Sequence, residues 1–300
     1  MNPPPGSARP GPQLRHGLSF DVEEAFHALN LWGAVPPESW AAQAPRSEEI
    51  VARILALLAE HRVRATFFVL GLVAERSPGV VRAIASAGHE LASHGYSHRM
   101  AGDLGPAAFD QDVRRARGLL QDLSGLPVEG FRASTFSIGR GTRWALPILA
   151  RAGHSWDSSV FPVRHDRYGD TAFPHHAVHL TLRDAPPLRE YPLLTRPALG
   201  RRWPAAGGGY LRLLPLSLVD GALRRSAADG EPGIVYLHPW ELDPGQPRHK
   251  LGGLRTLRHY HGIERVEARL VRLMRRHAFG AIGEIRVPET RVVELETLPE

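Results

Sequence analysis

The chain has 300 residues, 43% hydrophobic and 23% charged, with 37 Arg and Lys against 31 Asp and Glu for a net charge of +6. No cysteine is present, which excludes disulfides, thiolate nucleophiles and Cys-type zinc sites, so any metal must be held by His, Asp or Glu. Lys250 is the only lysine and the arginines form no dense run, so the basic balance reads as a solvated surface and no nucleic-acid partner is expected.

Residues 1–16 are rich in Pro and Gly and are expected to be a disordered tail ahead of a domain over 17–285. They hold no apolar signal core. The longest apolar run, residues 65–74, is too short to cross a bilayer. The expected address is therefore the cytoplasm, with export by another route left open. Beyond the tail, short apolar runs alternate with amphipathic stretches. Residues 18–22 predict a strand. Ser47 is placed to cap a helix over 47–61, with Glu48 and Glu49 in its first turn and Ile50, Ile54, Leu57 and Leu58 on one face. Strands are expected at 66–70, 89–92, 128–133 and 155–160, and helices at 78–88, 106–123 and 142–152. Residues 161–209 are irregular and rich in Pro, with strands at 178–182 and 188–194, and read as an insertion that shapes substrate choice. A helix over 216–227, a strand over 234–237 and an Arg-rich helix over 263–277 follow, and 286–300 remain as a C-terminal tail.

Repeated strand-then-helix order predicts an α/β fold in which parallel strands are covered by outer helices. The reactive side chains then fall at the C-terminal ends of strands, where the sites of such barrels are built. Asp21 and Glu23, two apart in an extended segment, share a face. Adjacent carboxylates repel, so one is expected to ligate a cation while the other serves as a base beside it. His94 and His98, four apart in SHGYSH, would share one face of a helical turn. Two imidazoles and one carboxylate make three protein ligands for a divalent metal and leave a position open for water. Arg132, in GFRASTFS, would hold the base ionised and oriented. His238, in LHPWE, is a candidate general acid, with Asp157 of WDSS as its orienting partner. Trp240, and Phe26 or Trp32 after the first motif, are candidate platforms for sugar rings.

In this order the five segments resemble the NodB-homology polysaccharide deacetylases, carbohydrate esterase family four. They are most similar to the subgroup of exopolysaccharide loci that encode sorting-signal proteins. DVEEAF stands for that subgroup's DVED-like first motif and RASTFS for its Arg-Ala-Pro-Ser-Phe-Ser segment. DSSVFPVRHDRYG, GGGYLRLLP, HPWELDPGQPR and RHYHGIERVEARLVRLM extend the likeness from about Gly17 to Phe279. The resemblance implies a distorted, incomplete (β/α) barrel of about seven strands that hydrolyses N-acetyl groups from a polymerised amino sugar. It implies that Glu23, His94 and His98 hold a divalent metal, zinc foremost with cobalt or nickel as alternatives. Asp21 would be the base, Arg132 its orienting group, His238 the acid and Asp157 the support of His238. Two departures stand out: the metal carboxylate lies one residue later than in most of the wider family, which leaves Glu24 as a second candidate, and Ser134 replaces a proline.

Three rivals remain at this level. One is an amidohydrolase acting on a small amide, and another is a saccharide-binding protein without activity. The third, a non-haem iron oxygenase with two histidines and a carboxylate, conflicts with the strand–helix alternation because such sites are usually built on all-β cores.

Overall fold

The computed structural model describes residues 14–165 and 168–299. Most of the expected N-terminal tail, residues 1–13, therefore lies outside the described residues. The strands are β1 (His16–Val22), β2 (Thr66–Val69), β3 (Glu90–Ser93), β4 (Gly130–Phe131), β5 (Trp156–Asp157), β6 (Val178–Thr181), β7 (Leu188–Glu190), β8 (Thr195–Ala198), β9 (Arg201–Pro204), β10 (Ile234–Leu237), β11 (Phe279–Gly280) and β12 (Val292–Glu294). The helices are α1 (Ser47–His61), α2 (Gly71–Arg76), α3 (Pro78–Ser86), α4 (Ala101–Ser124), α5 (Ala145–Arg151), α6 (Gly208–Leu213), α7 (Leu216–Ala228), α8 (Gly253–Tyr260) and α9 (Val266–Arg276).

The main sheet runs in the order β10-β1-β2-β3-β4-β5-β7-β6-β12, with β11 also paired to β1. All of these pairs are parallel except β6 with β7. The predicted α/β class is thus the observed one. The path ends at β10 and β12, and no pairing closes it into a barrel among the described residues. Every residue of β1 is buried, as expected of a central parallel strand covered on both faces. Its neighbours TFFV and IVYL are likewise buried throughout, and all their residues but Thr66 are apolar or aromatic. The segment expected as a C-terminal tail does not trail away: Val292–Glu294 pair with His179–Thr181 of β6.

Two local features hold the sheet edges that carry the site. β4 and β5 are only two residues long, and Gly130 permits their close approach. A Cβ there would lie 2.1 Å from the buried Trp156 ring, so no side chain fits without moving it. Ser47 is the first residue of α1 rather than its cap. The cap is the Glu24 carboxylate, which accepts the backbone N–H groups of Arg46 and Ser47 at 3.0–3.1 Å. Residues 161–209 contain β6 to β9, and β8 and β9 pair as a separate antiparallel hairpin. Its turn residues Leu199 and Gly200 both have positive φ (54° and 71°), the conformation that two-residue hairpin turns require. No helix among the described residues is long and apolar enough to cross a membrane.

His154 is a core residue with a consequence for acid stability. It is buried against Phe131 at a ring separation of 5.4 Å, and burial together with the charge of Arg117 lowers its pKa from 6.5 to about 3. The folded state keeps the ring neutral while the unfolded chain protonates it near its ordinary value. Its contribution is therefore present above pH 6.5 and is lost progressively as the pH falls toward 3. At pH 5 the loss is about 2 kcal/mol, taking about 1.4 kcal/mol per pKa unit. His154→Leu is expected to flatten the decline of urea-unfolding free energy between pH 7 and 5 by about that amount. An unchanged slope would show that His154 is not among the groups that titrate on unfolding.

Candidate active site

The site sits at the C-terminal end of the sheet. Asp21 is the penultimate residue of β1, and Glu23 follows the strand in a tight turn whose N–H bonds the Asp21 carbonyl at 3.0 Å. Both carboxylates are buried and both line one cavity of about 420 Å³. The shared face expected from their spacing is observed, although Glu23 lies in the turn rather than in the strand.

His94 and His98 reach the same cavity, by a different route from the one their spacing suggests. The segment after β3 is a loop, and α4 begins only at Ala101. Gly95 and His98 take left-handed φ values of 74° and 58°, which fold the loop so that the two rings lie 5.8 Å apart. The Asp112 carboxylate fixes this fold by accepting the N–H groups of Tyr96 and Ser97 at 2.6 and 3.0 Å. A left-handed histidine is uncommon and costs strain of order 1–3 kcal/mol, so the surrounding contacts must hold it there.

Ligand atoms of Glu23, His94 and His98 all lie within 4.8 Å of one another, and all three side chains are buried. His94 Nδ1 is 2.8 Å from the Arg132 carbonyl, so it carries the proton and leaves Nε2 to face Glu23. His98 Nε2 is in contact with the Glu23 carboxylate. Burial lowers the His94 pKa to about 4, which keeps its ring neutral as a metal ligand requires. Burial alone would raise the Glu23 carboxyl, but the neighbouring His98 and His238 rings hold it well below the ordinary carboxylate range. The donor set of two imidazoles and a carboxylate therefore fits a divalent cation such as zinc. Glu24 is not part of it, because its carboxylate is spent on the end of α1.

Arg132 is fully buried and reaches Asp21 Oδ1 at 2.7 Å and Ser19 Oγ at 2.8 Å. The rest of the fork donates to the Ser158 carbonyl at 3.0 Å and to Ser158 Oγ at 2.9 Å, with the guanidinium carbon 4.0 Å from the Phe68 ring centroid. One oxygen of Asp21 is thus pinned by a guanidinium whose position is fixed by β5 and its following loop. Ser134 donates to the His94 carbonyl at 3.3 Å.

His238 follows β10 and is partly exposed at the cavity, with Nε2 3.7 Å from Glu23 Oε1. Its partner is Glu241, not Asp157. Nδ1 lies 3.1 Å from Glu241 Oε2, and Arg212 donates to the other oxygen of that carboxylate at 2.9 Å. Burial would raise the Glu241 carboxyl, but Arg212 and His238 bring it down to about 2. Burial likewise disfavours a charged His238, yet Glu23 and Glu241 together raise its pKa to about 9. Gly208 makes the space for this carboxylate: a Cβ there would lie 1.7 Å from Glu241 Oε2. Asp157 points elsewhere. It accepts from Ser159 Oγ at 2.6 Å and faces Glu190, and burial raises both of those carboxyls.

The expected sugar platforms are also placed differently. Trp240 lines the cavity, but His238 covers one face of its ring (5.0 Å, 17°) and His259 stacks on it as well (4.6 Å, 15°), while its Nε1 donates to Glu23 Oε1 at 3.1 Å. It thus holds Glu23 through its Nε1, and two imidazoles stack on its ring. Phe26 is buried in a small cluster with Val35 and Trp40 and does not line the cavity, and Trp32 packs against the same cluster. The aromatic walls are instead Phe136, Tyr168, Tyr210 and Tyr236. Tyr168 comes from the irregular insertion. It stacks between His165 and Phe161 at 3.8 and 5.6 Å and meets the Tyr210 hydroxyl at 3.2 Å.

Residues 41–153 match the family model described as polysaccharide deacetylase, and residues 158–286 match one described as a domain of unknown function, DUF3473. Asp21 and Glu23 precede both matched segments, and Arg212, His238 and Glu241 fall in the second. Over 77 residues the chain is 35% identical to the peptidoglycan-N-acetylglucosamine deacetylase of Bacillus cereus, covering 26% of this chain and 28% of the relative. Over 174 residues it is 28% identical to the peptidoglycan deacetylase-like protein FGM2 of Gibberella zeae, covering 54% and 50%. The chain therefore matches half or less of these relatives' lengths. A solved Mycobacterium smegmatis protein described as a candidate polysaccharide deacetylase aligns with a TM-score of 0.57 at 21% identity, over 95% of this chain and 99% of that one, which shows a shared fold. Residues 41–153 of the 300-residue chain are thus similar to polysaccharide deacetylases, and the curated relatives matched over part of their length are described as peptidoglycan deacetylases or deacetylase-like.

Proposed function

We propose that this chain removes N-acetyl groups from an acetylated amino-sugar oligomer or polymer. The observation that carries this reading is the convergence in one cavity of three parts: a buried Glu23–His94–His98 donor set, an Asp21–Arg132 pair and a His238–Glu241 pair. Similarity to deacetylases of peptidoglycan supports the substrate class. The subgroup motifs DVEEAF and RASTFS support a role in exopolysaccharide biosynthesis.

Glu23, His94 and His98 would hold the metal, for which zinc is our assignment. When bound, such an ion polarises a carbonyl and makes a water more acidic. Asp21, held by Arg132 through one oxygen, keeps its other oxygen for the proton of the attacking water. His238 presents Nε2 to the cavity and gives a proton to the departing sugar amine. Glu241, anchored by Arg212, holds the opposite nitrogen and thereby fixes the direction of the ring. Acetate and a free amine leave, with one water consumed.

The decisive experiment is metal analysis of the purified protein together with acetate release from chito-oligosaccharides, with and without chelator. About one divalent ion per chain is expected, with activity lost to chelator and restored by zinc, cobalt or nickel. Acetate release that persists in metal-free protein would end the reading. A narrower test concerns the support of His238. Glu241→Gln is expected to lower kcat by about 10–100-fold with KM little changed. A full-speed Glu241→Gln enzyme would return the supporting role to another group.

A further inference from the structure

We propose that the β8–β9 hairpin and helix α8 form a docking surface for an anionic lipid bilayer beside the mouth of the catalytic cavity. Seven large hydrophobic side chains are exposed among the described residues, and five of them gather here. Leu199 at the hairpin tip is 93% exposed and Trp203 on β9 is 40% exposed, while on α8 Leu254 and Leu257 are 65% and 50% exposed. Leu213, at the end of α6, is the fifth. Leu254 and Leu257 are three apart and so share one face of their helix.

The two elements belong to one region of the molecule. Arg258 of α8 and Tyr210 and Leu213 of α6 line the catalytic cavity. Tyr210 also lines a second, largely apolar cavity of about 440 Å³, whose walls include Leu199, Trp203, Leu214 and Leu218. Helix α6 thus stands between the hairpin and the catalytic cavity, and α8 packs on it.

Charge identifies the occupant. Residues 191–219 and 244–263 hold eight of the chain's 37 Arg and Lys and none of its 31 Asp and Glu. One of the eight, Arg212, is buried on Glu241; the others include Arg196, Arg201, Arg248, Lys250 and Arg255, all exposed. The scatter of arginines along the sequence therefore conceals two basic stretches that hold no Asp or Glu of their own, with Asp229 the acid whose charge reaches Arg202. Interleaved leucine and arginine with a tryptophan is the composition that lies in a membrane interface: apolar side chains enter the acyl region while basic groups meet anionic headgroups. Arg201 sits over the Trp203 ring at 3.8 Å, which leaves an amphipathic pair suited to the headgroup level. The second cavity offers an acyl chain an apolar entry between the hairpin and α7. If the chain is the deacetylase proposed above, the amino-sugar chain would then be presented from the bilayer.

Flotation of the full chain with vesicles tests the surface without any substrate. Binding to phosphatidylcholine vesicles that contain phosphatidylglycerol is expected to exceed binding to phosphatidylcholine alone by at least about tenfold and to fall as salt rises. A Leu199→Ser/Leu254→Ser/Leu257→Ser variant is expected to lose about tenfold of that binding. It should still release acetate from soluble chito-oligosaccharides at the parent rate, which reports an intact fold. Binding to neither vesicle, equal binding to both, or undiminished binding by the variant would each overturn the proposal. So would a change in oligomeric state on the same substitutions, since the face would then be a protein interface. Failure of vesicle binding would leave the acetate-release reading standing, and the converse holds.

Discussion

Replacing Asp21 with asparagine is expected to slow acetate release by about 10²–10⁴-fold while the protein still binds its metal. The reasoning starts from the strand. Asp21 is near the end of β1, which is buried and paired with β2 and β10, so the backbone carrying it is held from both sides. Asparagine is nearly the same size and can still accept a hydrogen bond from Arg132 through its carbonyl. What it loses is the ability to take a proton from water. None of the three proposed metal-binding side chains is altered, and His94 is oriented by the Arg132 carbonyl rather than by Asp21. Metal content should therefore stay near one ion per chain. His238→Ala should give a loss of the same order by removing the proton donor. Combining the two should cost less than the product of the single losses, because groups acting as one unit are not additive. Normal turnover in Asp21→Asn would place the base elsewhere, and loss of the metal from it would make Asp21 a ligand.

The sheet was legible because a central parallel strand must be apolar on both faces. Apolar residues dominate 18–22, 66–70 and 234–237, with Ser19, Asp21 and Thr66 excepted, and the observed β1, β2 and β10 differ from those ranges by two residues at most. β4 and β5 were expected to be longer. Their backbone leaves the sheet as soon as Arg132 and Asp157 turn inward, a choice made by buried polar contacts that no periodicity encodes. The hairpin β8–β9 and helices α2, α6 and α8 escaped notice for a related reason: they are short, and four to eight residues carry too little pattern to read.

In the site, local spacing was informative and local geometry was not. Two residues apart correctly put Asp21 and Glu23 in one cavity. Four residues apart put His94 and His98 together, but through left-handed residues and the Asp112 anchor, where a helical turn was expected. The second error is more instructive. Asp157 was the expected partner of His238 because it sits at a strand end, yet Glu241 lies three residues after His238 in a 3₁₀ turn that carries its carboxylate back to Nδ1. The signal was present in HPWE, as an acid at the spacing of one turn. Trp240, the expected sugar platform, does line the cavity, and its stacking on His238 and His259 was not readable from the sequence. Arg212, which sets the charge of Glu241, is 29 residues away in sequence, and nothing local connects them.

Arg132 is the position where stability and chemistry are most tightly joined. Its guanidinium is fully buried, and Asp21 beside it is buried as well. Such a pair contributes little net stability when complete, because desolvation of the two ions offsets their attraction. Removing one partner is different: Arg132→Met leaves Asp21 charged and alone, with the Ser158 carbonyl and the Ser19 and Ser158 hydroxyls losing their donor. The expected destabilisation is about 3–5 kcal/mol. For a domain of this size that corresponds to a melting temperature lower by on the order of 10 °C. The Arg132→Met/Asp21→Asn double variant should recover part of this loss, because the orphaned charge is gone, while remaining inactive. Thermal unfolding of the two single variants and the double variant closes the cycle. If the double variant is as unstable as the sum of the singles, the pair is not coupled and Arg132 acts through packing on Phe68 instead. If Arg132→Met melts with the parent, the burial of an ionised Asp21 is wrong, and with it the base assigned to the reaction.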